Sequence, residues 1–437
     1  MNIREAALLM LLDYERDGKY INLALTSHKY DKLTGSERAS LTALVYTTVE
    51  NKLTYDYYIS SLAKRPTDKL DPYTLNLLRL GTAQIVSMEA IPDFAAVNET
   101  VKLARNKGES SFVNAVLRAI SKAKAENTLP LPKREKSAAR YISVLYSFPL
   151  WLTRHFIASF GEEATEEIFR EFMSEGYTDL SVNLTKISRE KYAEKLAECG
   201  ISSTPSPFNP LTLRLVGSYD PRRLPGFSEG LFYVQDTASA TAAYLLRAES
   251  GDRVLDVCAC PGGKSFATAI LTPDSAIESY DLHESKLSLI SSGAERLGIT
   301  NIKSGVRDAA EYDEALAGSF DKIICDVACS GLGVLGKKPD MRYRPEASLE
   351  GLCELQKNVL EVSSRYLKAG GRLIYSTCTL NRAENEDIVL DFLNTHKGFY
   401  PEDFEAGGYT STDGMLTFVP NIHKTDGFFV AVLRKSN

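Results

Sequence analysis

The chain has 437 residues, of which 44% are hydrophobic and 25% are charged. A chain of this length is expected to fold into two or three domains, and its composition is ordinary for a globular protein. No apolar run approaches the roughly 20 residues of a membrane span. Residues 1–20 mix charges into an apolar pattern with helical spacing, which predicts a folded helix and not a signal peptide. We therefore expect a cytoplasmic protein with no membrane partner.

The seven cysteines are an odd number, and five of them fall between Cys258 and Cys353. They form no spaced disulfide framework, which favours a reducing compartment. The CxxC pairs of structural zinc sites are missing, and the five histidines form no spaced pair. The sequence therefore predicts no metal site.

The net charge of −6 hides an asymmetry along the chain. Residues 1–140 carry 21 basic and 16 acidic side chains, whereas the remainder carries 30 and 41. Ten basic and three acidic residues fall within 102–140; the basic ones are Lys102, Arg105, Lys107, Arg118, Lys122, Lys124, Lys133, Arg134, Lys136 and Arg140. Such a patch binds phosphates even on an acidic chain. A solvated helix face followed by a linker accounts for the same charges equally well.

Residues 1–125 predict an all-α bundle, because apolar residues recur at helical spacing and the breaks between helices are short. Thr34–Glu37 supplies capping residues for one helix, and Asp71-Pro72 opens another. Ser110 is predicted to cap the helix that begins SFVNAVLRAI. Residues 126–139, rich in charge and interrupted by two prolines, predict a linker.

The rest of the chain predicts two further domains, so the fold class is multidomain. Residues 140–229 alternate helical segments with the strands LSVNLT and LTLRLVG, which is typical of a small α+β module. In 230–437, apolar β-rich runs alternate with helices. That pattern predicts a C-terminal α/β domain, Rossmann-like, with a parallel sheet covered on both faces.

A glycine-containing loop follows the first strand of the predicted α/β domain and leads into a helix. Ligands of doubly wound folds bind at this strand–helix turn, and paired glycines let the backbone approach a ligand closely. The loop matches neither the dinucleotide-binding nor the phosphate-loop pattern. Its residues are Cys258, Ala259, Cys260, Pro261, Gly262, Gly263 and Lys264.

An aspartate ends each of the first four predicted strands: Asp256, Asp281, Asp308 and Asp326. Carboxylates at these positions accept hydrogen bonds from ribose hydroxyls and attract a cationic centre, as in S-adenosylmethionine. Each acid alone is equally well explained as a cap of the next helix. Four of them beside a Gly-Gly loop favour the cofactor.

Two cysteines follow neighbouring strands: Cys329 comes after the fourth strand and Cys378 after the fifth. A thiolate that adds to C6 of a cytosine makes C5 nucleophilic enough to accept a methyl group. An acid near N3 assists that addition, and the sequence places Asp326 for this task. Three other cysteines, Cys199, Cys325 and Cys353, are predicted to be small buried hydrophobic residues.

The motifs DVCACPGGK, DVACSG and STCT resemble, in order and spacing, those of the NOL1/NOP2/Sun family of RNA cytosine-C5 methyltransferases. The segments GLFYVQDTAS, NRAENEDIV and PNIHKTDGFFVAVLRK are also similar to that family. The first domain, with AVNETVKLAR and SFVNAVLRAI, resembles the NusB-like RNA-binding domain of its bacterial Sun/RsmB type. The resemblance implies a substrate cytosine in 16S rRNA, S-adenosylmethionine as the cofactor, no DNA partner and a monomer.

The resemblance also implies a role for each matching residue. Cys378 matches the nucleophile, and Cys329 matches the second cysteine, which assists product release. Residues 258–264 with Asp281, Asp308 and Asp326 match the S-adenosylmethionine site. Two positions depart from the family pattern: Ala328 stands where Pro is usual, and Cys260 stands where Ala is usual.

Two alternatives stay open. The first is a methyltransferase of the same family that acts on tRNA, although the NusB-like domain favours rRNA. The second is an RNA-binding ribosome-assembly factor with a vestigial catalytic domain. The intact cysteines and cofactor loop argue against that second alternative.

Overall fold

The computed structural model describes residues 2–17, 21, 33–174 and 176–437. The chain packs into two compact units: Met1–Arg170 with Lys338–Pro345, and Glu171–Lys337 with Glu346–Asn437. Within the described residues, no helix combines the length and apolar character needed to cross a membrane.

The first unit is helical, which confirms the all-α prediction for the front of the chain. The first helix ends at Asp17, and residues 18–20 of the predicted helix lie outside the described residues, as does His28. Short 3₁₀ turns lie at Thr67–Lys69 and Arg134–Lys136. The α-helices are Ile3–Asp17, Gly35–Glu50, Lys52–Ala63, Pro72–Ser87, Asp93–Val101, Lys107–Ala125, Ala138–Leu145, Leu150–Phe160 and Glu162–Phe172, the last of which runs into the second unit.

Two predicted helix starts are confirmed. The Thr34 hydroxyl accepts a hydrogen bond from the Glu37 backbone N–H at 3.3 Å, and the Thr34 N–H donates to the Glu37 carboxylate at 2.9 Å. This reciprocal capping box satisfies two backbone donors that a helix start leaves unpaired. Asp71 accepts from the backbone N–H groups of Tyr73 and Thr74, with Pro72 in the first turn.

The prediction that Ser110 caps a helix is wrong. The helix Lys107–Ala125 begins four residues earlier than predicted, where the Asn106 side chain accepts from the Glu109 N–H at 3.0 Å. Asparagine is as strong an N-cap as serine. The earlier cap therefore starts the helix and leaves Ser110 within it.

The helices that follow the predicted linker pack in the first unit. The Thr54 hydroxyl donates to the Val144 carbonyl, and the Leu53 N–H donates to the Ser147 hydroxyl at 2.9 Å. Helix Ala138–Leu145 begins inside the predicted linker, capped by Ser137. The predicted domain boundaries at residues 125, 139 and 229 remain predictions. By its packing, the chain first passes from one compact unit to the other after Arg170.

Segment Lys338–Pro345 belongs to the first unit, although the residues on both sides of it belong to the second. Arg342 is 1% exposed and donates to the Glu50 carbonyl at 3.2 Å. Its guanidinium lies 4.5 Å from the centre of the Phe148 ring. The Tyr343 hydroxyl donates to the Val49 carbonyl at 2.7 Å. Arg342 and Tyr343 thus fasten the segment to the helical unit.

The second unit begins with the predicted α+β module, which is confirmed. Strands β1 (Tyr177–Val182), β2 (Ser203–Pro205), β3 (Thr212–Val216) and β4 (Phe232–Val234) form an antiparallel sheet in the order β2-β3-β1-β4. Helix Arg189–Glu198 buries Tyr192 and Leu196 against this sheet. A 3₁₀ turn lies at Pro221–Arg223.

A buried carboxylate joins this module to the next part of the unit. Asp179 on β1 is 2% exposed and accepts two hydrogen bonds of 2.7 Å from the Arg214 guanidinium. It also accepts from the N–H and the hydroxyl of Thr237, at 3.0 and 2.8 Å. Thr237 begins the helix Thr237–Leu245, which packs beside the large sheet.

The large sheet has eight strands and confirms the Rossmann-like prediction. Its strands are β5 (Arg253–Asp256), β6 (Ala276–Asp281), β7 (Ile302–Val306), β8 (Phe320–Asp326), β9 (Leu367–Thr377), β10 (Phe399–Pro401), β13 (Met415–Phe418) and β14 (Phe428–Lys435). β11 (Glu405–Ala406) and β12 (Tyr409–Thr410) form a separate hairpin. The order is β10-β14-β9-β8-β5-β6-β7, with β13 beside β14.

Strands β5 to β9 run parallel, and the connecting helices cover the sheet. Those helices are Gly263–Leu271, Glu284–Leu297, Leu352–Tyr366, Glu386–Thr395 and Pro420–His423, with 3₁₀ turns at Glu314–Leu316, Glu346–Leu349 and Arg382–Glu384. A further 3₁₀ turn, Pro339–Tyr343, belongs to the first unit. The chain winds from β5 towards β7 on one side and from β8 towards β9 on the other. The carboxyl end of β5 is therefore the switch point at which such sheets bind ligands.

Replacing Arg342 by Ala is expected to destabilise the helical unit by about 2 kcal/mol or more, because a buried hydrogen bond and the packing over Phe148 are lost together. Trp151, the single tryptophan of the chain, lies in this unit and reports its unfolding by fluorescence. Lys338→Ala, at an exposed position of the same segment, serves as the control. Equal melting temperatures for the two variants would contradict this role of Arg342.

Candidate active site

The site lies where the parallel strands end. In the pairing of β8 with β9, Asp326 stands beside Ser376, and in the pairing of β5 with β6, Asp256 stands beside Ser279. The loop after β5 and the two cysteines after β8 and β9 therefore share one edge of the sheet.

The loop after β5 adopts a conformation that glycine favours. Gly262 has a φ of +109°, and a Cβ added there would lie 2.6 Å from the Phe266 ring. A Cβ added at Gly263 would lie 3.0 Å from the Gln235 side-chain nitrogen. The Cys260–Pro261 peptide bond is cis. The backbone is thus closely framed by neighbouring side chains, and both positions require glycine because a side chain at either would crowd Phe266 or Gln235.

The loop is also fastened to the end of β6. The Ala259 N–H donates to the Tyr280 carbonyl at 2.8 Å, and the Cys260 N–H donates to the Asp281 carboxylate at 3.3 Å. Cys258 is half-buried, and burial raises the pKa of Cys260 to about 12. Neither thiol is therefore prepared as a nucleophile, and both form part of the loop's framework.

The strand-end acids occupy different environments. Asp281 is half-buried, accepts from the His283 N–H at 3.0 Å, and precedes Leu282, which is 55% exposed. The prediction that Asp308 ends its strand is wrong, because β7 ends two residues earlier, at Val306. Asp308 lies two strands from the loop and accepts from the Ala310 N–H at 2.9 Å. A carboxylate has about four acceptor positions, so both keep capacity for a ligand's hydroxyl or amino groups.

Asp256 plays a structural part. It is 1% exposed and accepts from the Ser265 hydroxyl at 2.6 Å. Burial, together with a smaller contribution from the neighbouring Asp326, raises its pKa to about 7. Asp256 therefore anchors the helix that follows the loop.

Lys264 and Asp326 form a close ion pair at the sheet edge. The Lys264 ammonium, which is 8% exposed, lies 2.6 Å from Asp326 Oδ2 and 2.8 Å from the Ser239 hydroxyl. The Ser376 hydroxyl donates to Asp326 Oδ1 at 2.6 Å. Sequence reasoning missed Ser239, Gln235 and Ser376. The only signal for the first two was their place in GLFYVQDTAS.

The two predicted site cysteines are neighbours. Cys329 Sγ lies 3.2 Å from Cys378 Sγ, and both side chains are half-buried. The hydrogen bond with Cys378, followed by burial, raises the pKa of Cys329 well above its usual range. Thus 49 residues of sequence separate two thiols that the structure places in contact.

Of the remaining cysteines, Cys325 is buried in β8 as predicted, and burial raises its pKa to about 12. The prediction of burial is wrong for Cys199, which is exposed beyond the end of helix Arg189–Glu198, and for Cys353, which is half-buried. In the part of the chain that the structure describes, no group of three His, Cys, Asp or Glu side chains is arranged to hold a metal ion.

Comparison with known families gives three matches along the chain. The NusB family matches residues 1–122, the RsmF/B-like ferredoxin-like domain matches residues 148–221, and the 16S rRNA methyltransferase RsmB/F family matches residues 243–434.

Relatives match the chain from end to end. The probable ribosomal RNA small subunit methyltransferase B of Bacillus subtilis (strain 168) is 35% identical over 449 residues, covering 99% of each chain. The protein of the same name from Synechocystis sp. (strain ATCC 27184 / PCC 6803 / Kazusa) is 35% identical over 456 residues, covering 100% of each. The crystal structure of PH0851 has a TM-score of 0.79 and 25% identity, and the match covers 100% of this chain and 99% of that chain.

The sheet with its Gly-Gly loop and strand-end acids defines an S-adenosylmethionine-dependent methyltransferase, fused to NusB and ferredoxin-like domains. More particularly, the chain belongs to the RsmB/F family of 16S rRNA methyltransferases. The framed glycine loop and the half-buried Asp281 fit the cofactor of that family.

Replacing Gly262 by Ala is expected to weaken S-adenosylmethionine binding about tenfold or more. A left-handed backbone costs other residues ~1–2 kcal/mol, and the new Cβ would displace Phe266 or the loop. Gly251→Ala is the matched control, because Gly251 has a φ of +87° and its Cβ would meet no heavy atom of the described residues within 4 Å. Titration calorimetry measures both affinities. Unchanged affinity for Gly262→Ala would remove the loop from the cofactor site.

Proposed function

We propose that this protein methylates C5 of a specific cytosine in 16S rRNA through a covalent bond between Cys378 and C6 of the base. The observation that carries the proposal is the contact of the two thiols, Cys329 and Cys378, at the sheet edge that holds the cofactor loop. C5 of an aromatic cytosine is a poor nucleophile. A thiolate on C6 converts it into an enamine-like carbon, which is the chemistry that a cysteine here supplies.

The proton distribution between the thiols supports Cys378 as the nucleophile. The pKa of Cys329 is raised, chiefly by its hydrogen bond with Cys378. In the proposed arrangement the proton of the pair stays on Cys329, whose S–H donates to Cys378 Sγ; the geometry allows either sulfur to be the donor. The sulfur that accepts the hydrogen bond is the one that is stabilised as a thiolate.

The ion pair of Lys264 and Asp326 is the proposed acid for N3. Addition of the Cys378 thiolate to C6 places negative charge on the ring, and a proton from this pair neutralises it at N3. Asp326 is held by the Ser376 hydroxyl, so its orientation is fixed from β9, the strand that Cys378 follows. When bound, S-adenosylmethionine supplies an electrophilic methyl group. Residues 258–264 with Asp281, Asp308 and Asp326 are the proposed binding set.

Cys329 is the proposed base for the final step. Once Cys378 Sγ is bonded to C6, the hydrogen bond that raises the pKa of Cys329 most is gone, so Cys329 loses its proton to solvent more easily. Its thiolate then accepts the proton from C5. The C6–S bond breaks, the proton on N3 returns to the Lys264–Asp326 pair, and Cys378 departs as a thiolate.

A stripe of basic side chains on helix Lys107–Ala125 is the proposed phosphate-binding surface. Lys107, Arg118 and Lys122 are exposed, and spacings of 11 and 4 residues put them on one face of the helix. Within the stripe, Lys122 lies 3.8 Å from the Glu126 carboxylate. Four other basic residues of 102–140 are engaged in ion pairs: Lys102 with Glu99, Arg105 with Asp71 and Glu109, Lys124 with Asp93, and Arg134 with Glu166. The proposed partner is small-subunit rRNA and not DNA, bound by a cytoplasmic monomer.

The roles of the two cysteines lead to opposite outcomes on substitution. Cys378→Ala is expected to form neither product nor a covalent protein–RNA species, because no thiolate reaches C6. Cys329→Ala is expected to attack and methylate, then accumulate a species that survives denaturing electrophoresis. The double variant is expected to lose that species.

The exposed Cys199→Ala serves as the control and is expected to match the unmodified protein in both assays. A stable adduct with Cys378→Ala, and none with Cys329→Ala, would reverse the two roles. No adduct with any variant would overturn the covalent mechanism.

Replacing Lys107, Arg118 and Lys122 together by Ala is expected to weaken RNA binding and lower the salt dependence. Each lost phosphate contact reduces the slope of log K against log salt by about 0.7–0.9. A matched variant with Lys64, Arg65 and Lys69 replaced by Ala removes the same charges from exposed positions elsewhere on the unit. Equal slopes for the two triple variants would show that the stripe is not the phosphate-binding surface. Fluorescence anisotropy on a 16S rRNA fragment measures both.

A further inference from the structure

Two adjacent buried side chains lie behind the pair of cysteines. Glu384 ends a 3₁₀ turn, Asn385 precedes the helix Glu386–Thr395, and each is 1% exposed. Both belong to the segment NRAENEDIV. Their hydrogen bonds, described below, go to the residues that flank Cys329 and Cys378.

Glu384 holds the loop on both sides of Cys329. Its Oε2 atom accepts from the Ser330 N–H at 2.9 Å and from the Gln356 side-chain amide at 2.9 Å. The same Gln356 nitrogen donates to the Ala328 carbonyl at 3.0 Å. The residue before Cys329 and the residue after it are thereby tied to one carboxylate, directly or through Gln356.

Asn385 holds the chain on both sides of Cys378. The Thr377 hydroxyl donates to Asn385 Oδ1 at 2.6 Å, and Asn385 Nδ2 donates to the Thr379 carbonyl at 3.0 Å. Thr377 is the last residue of β9, so Asn385 fixes the direction in which the chain leaves the strand. The amide uses one acceptor and one donor, a combination that the carboxylate of Glu384 does not offer.

A further hydrogen bond couples the two cysteine loops, between the hydroxyls of Ser330 and Thr379 at 2.7 Å. The separation of 3.2 Å between the two sulfurs is therefore set by residues attached to one short turn. Outer-shell hydrogen bonds of this kind orient reactive groups with an accuracy that the reactive groups themselves do not provide.

We propose that Glu384, with Gln356, is the positioning residue for Cys329, and that Asn385 is the positioning residue for Cys378. This inference rests on the proposed covalent function. It adds a division of labour, in which each cysteine has its own positioning residue. Ala328 has a freer backbone than the proline usual at this position. The hydrogen bond from Gln356 to its carbonyl supplies the restraint that this chain needs.

The experiment follows the covalent species in single turnovers with cytosine-containing rRNA, by denaturing electrophoresis. Glu384→Ala is expected to form the adduct and then resolve it about 10- to 100-fold more slowly, as a misplaced Cys329 would. Asn385→Ala is expected to slow adduct formation by a similar factor. Glu384→Gln keeps one oxygen acceptor and is expected to restore part of the resolution rate.

Calorimetry with S-adenosylmethionine distinguishes a misplaced cysteine from a misfolded domain. Glu384→Ala and Asn385→Ala are both expected to bind S-adenosylmethionine with the affinity of the unmodified protein. Asp387→Ala is the control on the same helix, because Asp387 is exposed and pairs with Arg382. If Glu384→Ala fails to fold, Gln356→Met is tested in its place. That variant removes the amide that holds Ala328 and is expected to show the same slow resolution of the adduct.

The outcomes are distinguishable. Cys329→Ala is the reference: if it accumulates no adduct, the proposed function fails and this inference fails with it. If Cys329→Ala accumulates adduct but neither Glu384→Ala nor Gln356→Met does, the assignment of Glu384 fails alone. Identical defects for the Glu384 and Asn385 variants, or a shared loss of cofactor affinity, would overturn the division of labour.

Discussion

The parallel pairing of β8 with β9 is the constraint on which the site depends. Its register sets Asp326 beside Ser376, so the chain leaves both strands at the same level and the two thiols meet. A shift of one residue would turn the side chains of β9 to the opposite faces of the sheet. The Ser376 hydroxyl would then no longer reach Asp326, and Cys378 would leave the strand in another direction. The position of Asp326 and the point at which the chain turns to Cys378 are thus fixed by the backbone hydrogen bonds between the two strands.

Burial gives different properties to acids that look alike in the sequence. Asp256 is enclosed, its pKa is raised to about 7, and it anchors a helix. Asp326, at the end of the adjacent strand, has an ammonium group at 2.6 Å. Asp281 is only half-buried and holds the loop after β5 through one oxygen. Residue type and strand position are the same in all three cases. Exposure to solvent and the nearest hydrogen-bond donor therefore determine the role of each carboxyl group.

Features that depend on neighbours in the sequence could be predicted, and those that depend on distant neighbours could not. The capping box at Thr34 and the strand that ends at Asp326 follow from local spacing. The prediction of Ser110 as a cap failed because Asn106, an equally good cap, precedes it in the sequence. Glu384 and Gln356 escaped notice because they act on a loop 54 and 28 residues away, and the exposure of Cys199 depends on packing. The hydrophobic periodicity of a sequence does not reveal contacts between residues so far apart along the chain.

The segment Lys338–Pro345 limits how freely the halves of this protein can be exchanged. The chain passes between the two compact units three times, at Arg170, Lys337 and Pro345, so a single junction does not divide it into independent pieces. A chimaera that takes its helical part from one relative and its catalytic part from another would set a foreign Arg342 or Tyr343 against the carbonyls of Glu50 and Val49. Sequence changes on the two sides of that contact are therefore expected to be inherited together. Although the NusB part and the methyltransferase part match separate families, no single cut in the chain separates them.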